Sequence, residues 1–337
     1  MTGTAIAALK LFILPDLQWR DICAATKPRI ESLVYMNPNL DAETTGCGLC
    51  GSTSGRELYL TKDRLGNSDE SFSIVQCKGC GVLRTLPEMS ERELGRFYPD
   101  DYWGMSEPTE QWISSSQSEK VGFITRCGLH SGNILDVGCG TGFFLRALTA
   151  NSWDRFGVEA SAVASRLAEA KIGDGHVFTG SLTELSAEDS RFDVVTFWSA
   201  LEHTNNPRLN LEKARSLLKR GGTLIVQVPN AASYQAQIFE ADWIAFDAPR
   251  HRYHFTYPVL ERLLTETGFE VYRKSYFSRA HNSHALRWSL QARLRTRKSS
   301  ALSRARYYLA LAIAQPIDSA MSALGRGATL TVAARAV

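Results

Sequence analysis

Four of the chain's seven cysteines stand in two matched knuckles, Cys47-Gly-Leu-Cys50-Gly and Cys77-Lys-Gly-Cys80-Gly, separated by 26 residues. A two-residue gap lets both thiolates of a knuckle turn onto one tetrahedral ion. The glycine after each second cysteine relieves crowding where backbone amides point at sulfur. The pattern predicts a closed, structural Zn(Cys)4 site on Cys47, Cys50, Cys77 and Cys80; rubredoxin-type iron and a redox dithiol are the rival uses of such spacing. A second stretch able to do chemistry is ILDVGCGTG (134–142): an apolar run, Asp136, then Gly138, Gly140 and Gly142. Glycines there let the backbone turn tightly against a ligand at the mouth of a helix whose N–H groups face it. Nicotinamide and flavin enzymes use a related turn. The third group is His203, His251 and His254, imidazoles suited to moving a proton near neutral pH.

The elements that must position these residues can be read from the flanking sequence. GRELYLTKDRLG and SFSIVQCKGC, between and over the knuckles, have strand-like pieces, as a metal ribbon would. ILDV is a buried strand, and FFLRALTA after the glycines opens a helix. His203 follows a strand (FDVVTFW), whereas His251 and His254 lie in DAPRHRYHFT, the loop after LIVQVPN. Both loops then sit at the carboxyl edge of a parallel sheet, where open α/β folds bind ligands, so His254 or His251 is expected to contact the substrate. The three-residue spacing of His251 and His254 also suits a turn face that merely packs. Local capping is the plain alternative for His203.

The four segments LDVGCGTG, RFGVEAS (155–161), FDVVTFWSALEHTNNP (192–207) and ARSLLKRGGTLIVQVPN (214–230), in this order, resemble the class I S-adenosylmethionine-dependent methyltransferases. The resemblance covers roughly residues 95–280 and a last strand near 327–335. It implies a Rossmann-like, seven-stranded sheet and S-adenosylmethionine as cofactor. Asp136 would orient the glycine loop or meet the methionine end of the cofactor. Glu159, 23 residues after Asp136, would accept from the ribose hydroxyls. In GSLTEL (180–185), Ser181 stands where many relatives have Asp and would accept from the adenine amine, with Leu182 as an apolar wall. Tyr98 and Tyr102, in the segment linking ribbon to catalytic domain, either cover the site or pack the junction. Methyltransferases of ubiquinone synthesis and of small-RNA 2′-hydroxyls carry Glu-x-x-Glu-His after this fourth strand. Here Ser199 replaces the first glutamate, leaving Glu202 and His203, so a catalytic magnesium is not expected. Ser199-Ala200-Leu201 also replaces the Asn/Asp-Pro-Pro-aromatic motif of enzymes that methylate base amines, which favours an oxygen or carbon acceptor. Relatives acting on sugars and secondary metabolites carry a similar ribbon, which implies a part in shaping substrate access.

At 337 residues, 44% hydrophobic and 22% charged, the chain has an ordinary soluble composition and no apolar run near the ~20 residues that cross a bilayer. The N-terminus lacks a basic signal region, so a cytoplasmic location is expected. Net charge is +3, yet residues 271–337 carry 12 basic side chains and 1 acidic, while 1–110 carry 11 and 16. The basic stretch includes HALRWSLQARLRTRKSSALSRARYYLALAIAQP, helical in character with Leu286, Leu290 and Leu294 at intervals of four. Such an insertion suits an anionic membrane surface at the inner face; nucleic acid fits by charge alone, and a solvated lid fits as well. The expected organisation is 1–40 without assigned role, a zinc-ribbon module over 41–90, and a methyltransferase domain over 91–337 with a helical insertion at about 279–326. The expected activity is methyl transfer to a hydroxyl or carbon of a small molecule, sugar or glycan. An RNA methyltransferase and a non-catalytic cofactor-binding module are the alternatives.

Overall fold

The computed structural model describes residues 41–43, 46–64, 68–98, 110–293 and 301–337, so the N-terminal 40 residues, Tyr102 and Leu294 lie outside the described residues. The chain opens with antiparallel strands β1 (Asp41–Glu43), β2 (Ser54–Lys62), β3 (Ser71–Cys77) and β4 (Leu83–Leu86). Each knuckle is a turn beside this sheet: Cys50 and Gly51 amides both return to the Cys47 carbonyl, and the Gly81 amide to that of Cys77. Helix α1 (Glu91–Gly95) follows, started by a reciprocal Ser90–Glu93 capping box.

Next come α2 (Glu110–Arg126), β5 (Gly132–Val137), α3 (Phe143–Ala147), β6 (Trp153–Glu159), α4 (Ala162–Ile172), β7 (Val177–Thr179) and β8 (Phe192–Trp198). Then α5 (Pro207–Leu217), with its Asn206 cap and Pro207 in the first turn, leads into β9 (Leu218–Pro229). After α6 (Tyr234–Phe239), the chain places β10 (Tyr253–His254), α7 (Tyr257–Glu266), β11 (Phe269–Ser275), α8 (Arg279–Arg293), α9 (Ala301–Ala323) and β12 (Thr329–Ala336).

The large sheet runs β11-β12-β9-β8-β5-β6-β7. Strands β5 to β9 pair in parallel, and β12 is antiparallel to both its neighbours. Burial on both faces explains the unbroken apolar runs: Ile134, Val194, Val195, Phe197, Leu224, Ile225 and Val226 are all at or near zero exposure. The order reverses between β5 and β8, since β6 and β7 continue to one side and β9 to the other. Their two carboxyl-end loops therefore meet at a switch point, the usual place for a ligand crevice.

The second sheet departs from a self-contained ribbon. Its order is β1-β2-β3-β4-β10, so the loop after β9 donates a strand that closes the ribbon's edge. Tyr253 lies opposite Arg84, and His254 opposite Leu83. Pairing consumes an edge that would otherwise be exposed, and it fixes that loop to the ribbon.

Candidate active site and metal centre

The sulfurs of Cys47, Cys50, Cys77 and Cys80 all lie within 4.8 Å of one another. Cys47 Sγ is 3.7 Å from Cys80 Sγ and Cys50 Sγ 3.6 Å from Cys77 Sγ. Four thiolates about 2.3 Å from one tetrahedral ion would lie about 3.8 Å apart, so the donor set fits a closed S4 centre. Cys139 and Cys127 are elsewhere, Cys139 buried under the glycine loop and Cys127 at the end of α2.

The glycine loop is held against β6 by the Gly138 and Cys139 amides, which both donate to the Val158 carbonyl at 2.8 and 3.1 Å. Gly138 has φ +70°, and a Cβ there would come within 2.7 Å of Ala200 Cβ in the loop after β8. Gly142 has φ +78° and would press a Cβ into Ala168 of α4 at 2.9 Å. The cradle is therefore one that side chains would fill. Glu159 closes it, accepting from the Gly140 amide at 2.9 Å through Oε2 and from the Ser161 amide at 2.8 Å through Oε1. Burial pushes Glu159 above the usual carboxylate range, against the pull of those amides. Asp136 is 2% exposed and accepts from Thr196 Oγ1 at 2.7 Å. Its enclosure raises it to about 7, opposed chiefly by Lys120. Lys120, from α2, is brought down to about 8 by the same enclosure, opposed by Asp136. Its ammonium lies 5.6 Å from the Trp198 ring and 5.8 Å from the Phe144 ring.

Ser181 spends its hydroxyl on Glu184 Oε2 at 2.7 Å, capping the short turn Leu182–Glu184, and Leu182 is buried in the main core. Tyr98 packs with Phe72, Leu94, Phe97 and Ala248 at the junction of the two sheets.

Three residues past Ala200 the chain reaches His203. Its ring meets that of His251 edge to face, with centroids 4.6 Å apart. His203 Nδ1 lies 3.1 Å from the Arg250 carbonyl and His251 Nδ1 2.9 Å from the Ala245 carbonyl. A carbonyl can only accept, so both Nδ1 atoms carry the proton and both Nε2 atoms keep a lone pair. Burial lowers both imidazoles, His203 to about 3, so each is neutral at physiological pH. Asp247 Oδ2 lies 3.9 Å from His251 Nε2. Burial would raise Asp247, but the Arg250 guanidinium, which donates to both of its oxygens, outweighs it and holds the carboxyl below its usual range. Glu202 beside them is fully buried, and among the described residues neither of its carboxylate oxygens has a hydrogen-bond partner. Burial raises it to about 8. Glu202, His203 and His251 each offer a ligand atom within 4.8 Å of the others, so this second group could hold a cation.

His254 is placed differently from the sequence expectation of substrate contact. Its ring is 2% exposed on β10, with Nε2 2.9 Å from Thr85 Oγ1 on β4. Since Thr85 Oγ1 donates to the His251 carbonyl at 2.6 Å, it accepts from His254 Nε2–H. His254 thus sits in the seam between the two sheets rather than at the sheet edge. The same seam holds Arg250, 0% exposed, which donates to Asp63 of the ribbon at 2.8 Å, to Asp247 at 2.6 and 3.0 Å, and to the Phe97 carbonyl at 3.0 Å. Lys120, Asp247 and Arg250 were not singled out in the sequence. Asp63 and Arg250 are 187 positions apart, and no local pattern announces such a pair.

Residues 115–274 match the family described as "Methyltransferase domain". The ubiquinone biosynthesis O-methyltransferase of Xanthomonas campestris pv. campestris is 30% identical over 185 residues, spanning 51% of this chain and 75% of that protein. An uncharacterized methyltransferase of Anoxybacillus flavithermus is 28% identical over 151 residues, 42% of this chain and 71% of that protein. Among solved structures, a possible histamine N-methyltransferase from Thermotoga maritima aligns at 18% identity with a TM-score of 0.46, over 67% of this chain and 92% of that one. With its glycine cradle, its sheet order and its match to the Xanthomonas protein, the chain belongs to the class I S-adenosylmethionine-dependent methyltransferases.

Proposed function

We propose that the enzyme methylates a hydroxyl oxygen, or alternatively a carbon, of a small molecule, sugar or glycan, with His251 and His203 serving as proton acceptors. The observation that carries this reading is the contact of Gly138 with Ala200, which sets the His203 turn directly against the cofactor cradle. The Xanthomonas relative is named as an O-methyltransferase, which supports an oxygen acceptor. When bound, S-adenosylmethionine supplies an electrophilic methyl group on a sulfonium. Glu159 is the acceptor for ribose hydroxyls, while Asp136 and Lys120 offer opposite charges to the ammonium and carboxylate of the methionine end. The protein's main task is to hold acceptor oxygen, methyl and sulfur in line. Transfer would form the oxygen–carbon bond while sulfur keeps the electron pair of the broken bond, and His251 Nε2 would take the hydroxyl proton. Asp247 then stabilises the imidazolium. Zinc on Cys47, Cys50, Cys77 and Cys80 is the metal proposed for the ribbon. Metal analysis of the purified protein should give about one equivalent, lost on replacing two of the cysteines with serine.

The unpartnered Glu202 favours a second reading of the same centre. A divalent cation held by Glu202 Oε and the Nε2 atoms of His203 and His251 would take an N2O set with open positions, suited to zinc, manganese or iron. Ser199 offers no carboxylate at the first glutamate's position; His251 supplies a donor in its place. The readings separate cleanly. Turnover that survives exhaustive dialysis against a chelator, while the cysteine-held metal is retained, leaves the histidines as simple bases. Loss restored by manganese favours the cation. The primary test is methyl transfer from labelled S-adenosylmethionine to fractionated extracts. His251→Ala should abolish labelling yet bind the cofactor normally by calorimetry.

A further inference from the structure

Helix α9 carries a surface that the catalytic reading does not use. One face, with Ala310, Leu311, Ala314 and Met321, is buried against neighbouring helices. The opposite face turns Tyr308, Leu309, Ala312, Ile313, Pro316, Ala320 and Leu324 to solvent. Tyr308 is 65% exposed, Leu309 54% and Leu324 64%. Between Arg306 and Arg326 the sole charged residue is Asp318, which is buried and accepts from Gln235 at 2.7 Å. A helix apolar on both sides ordinarily has something against both. From Tyr308 to Leu324 the stripe runs about 24 Å at 1.5 Å per residue.

Its surroundings define the partner. Trp288 on α8 is 45% exposed beside His284, with ring centroids 5.8 Å apart. The Tyr307 and Tyr308 rings meet at 5.3 Å, and Arg287 of α8 lies near enough to bias the Tyr307 hydroxyl. Basic residues bracket the stripe in sequence: Arg304 and Arg306 before it and Arg326 after it. No acid occurs between Glu270 and Asp318. We propose that this face of α8 and α9 docks the enzyme on an anionic lipid surface, with α9 lying in the headgroup plane, its aromatic and aliphatic side chains entering the acyl boundary and the exposed Arg287 and Arg326 meeting lipid phosphates. A second copy of this chain is the poorer occupant, because residues 271–337 carry 12 basic side chains against 1 acidic and would repel their like. Nucleic acid would satisfy the arginines but leave the uncharged stripe uncovered. The helix lies on the bilayer and does not cross it, as no helix among the described residues is long and apolar enough to do so. The inference rests on this surface alone and is independent of the methyl acceptor.

The test is flotation of the full-length protein with vesicles of phosphatidylcholine, alone or with about 30 mol% phosphatidylglycerol. The protein should float with the anionic vesicles only, and raising salt from about 0.05 to 0.5 M should weaken the partition at least tenfold. Leu309→Glu with Ile313→Glu should lower it at least tenfold while the melting temperature and S-adenosylmethionine calorimetry stay as in the wild type. If the double variant misfolds, Tyr308→Glu, at the most exposed position of the stripe, replaces it. Absence of flotation at low salt overturns the proposal. So does flotation that the glutamates leave intact, or a concentration-dependent dimer that they abolish.

Discussion

A carboxylate enclosed beside a glycine loop holds its charge poorly, and Asp136 is such a group, raised to about 7 by burial. In the proposed binding mode the ammonium of the cofactor's methionine end would favour the ionised form, so binding would expel the proton wherever Asp136 is neutral. Affinity for S-adenosylmethionine should therefore fall as pH drops through about 7, approaching tenfold per pH unit below it, and level off above. Calorimetry between about pH 5.5 and 8.5 should show this slope in the wild type and none in Asp136→Asn, whose binding should be uniformly weak. The histidines divide in the same residue-by-residue manner. His251→Ala should reduce kcat by about 10²–10⁴ with little change in cofactor affinity, the range expected for a lost proton acceptor. His254→Ala should chiefly lower the melting temperature, because its ring is enclosed and bonded to Thr85. Equal losses of kcat in the two variants would erase the distinction between the two histidines. The position of Asp136 and Glu159 beside the glycine loop is legible because each stands at the carboxyl end of a strand read from its apolar run. Lys120 was not, since its partner charge is 16 positions away and α2 has no motif to flag it. His254 reads as ligand-facing because a histidine after β9 looks the same in sequence whether it faces the sheet edge or the ribbon.

At the scale of elements, two residues of β10 decide how the catalytic loop is held. Pairing with β4 aligns Thr85, whose amide donates to the Arg252 carbonyl at 3.0 Å and whose hydroxyl donates to that of His251. Beneath this, Arg250 joins Asp63 of the ribbon to Asp247 of the loop, with the Asp63 and Arg250 side chains 0% and 1% exposed. Removing one partner of a buried ion pair strands the other, at a cost of about 3–5 kcal/mol. Arg250→Met should destabilise the protein on that scale in denaturant unfolding. It should also lower kcat, because Asp247 would lose the guanidinium that aims it at His251. Thr85→Val is the gentler probe: it removes one hydroxyl while keeping the strand pairing and should shift kcat more than stability. A loss of stability with kcat untouched in both variants would reduce the seam to packing. The large sheet was legible because buried parallel strands are written as continuous apolar runs and the turns between them as glycine and capping residues. The strand exchange was not. Tyr253-His254 is too short to have a period, and its partner lies about 170 positions earlier in the chain.

Across the whole molecule, the cysteine cluster and the glycine cradle belong to separate sheets that share one loop, so removing the metal should uncouple two functions that a single-domain enzyme would lose together. The S4 donors sit in turns bonded within the knuckles and, through the Lys78 amide, to Ser54 of β2; across the junction Arg208 of α5 fastens the Leu49 carbonyl at 3.1 Å and Arg262 of α7 the Cys80 carbonyl. Without the ion, the four sulfurs have no reason to converge and the ribbon should loosen, since small metal modules draw their folding energy from the metal. Loosening frees β10, and with it Asp247, Arg250 and His251, whereas the cradle is fastened to β6 and β8 and should persist. Extraction of the metal at neutral pH should therefore cut methyl transfer at least tenfold while cofactor affinity changes by no more than about twofold. Hydrogen exchange should quicken at 247–255 and in the ribbon, but not at 134–142. Readdition of zinc should restore both rate and protection. Should cofactor affinity collapse in step with turnover, the two sheets would be one cooperative unit, and the ribbon's role in aiming the histidine loop would have to be given up.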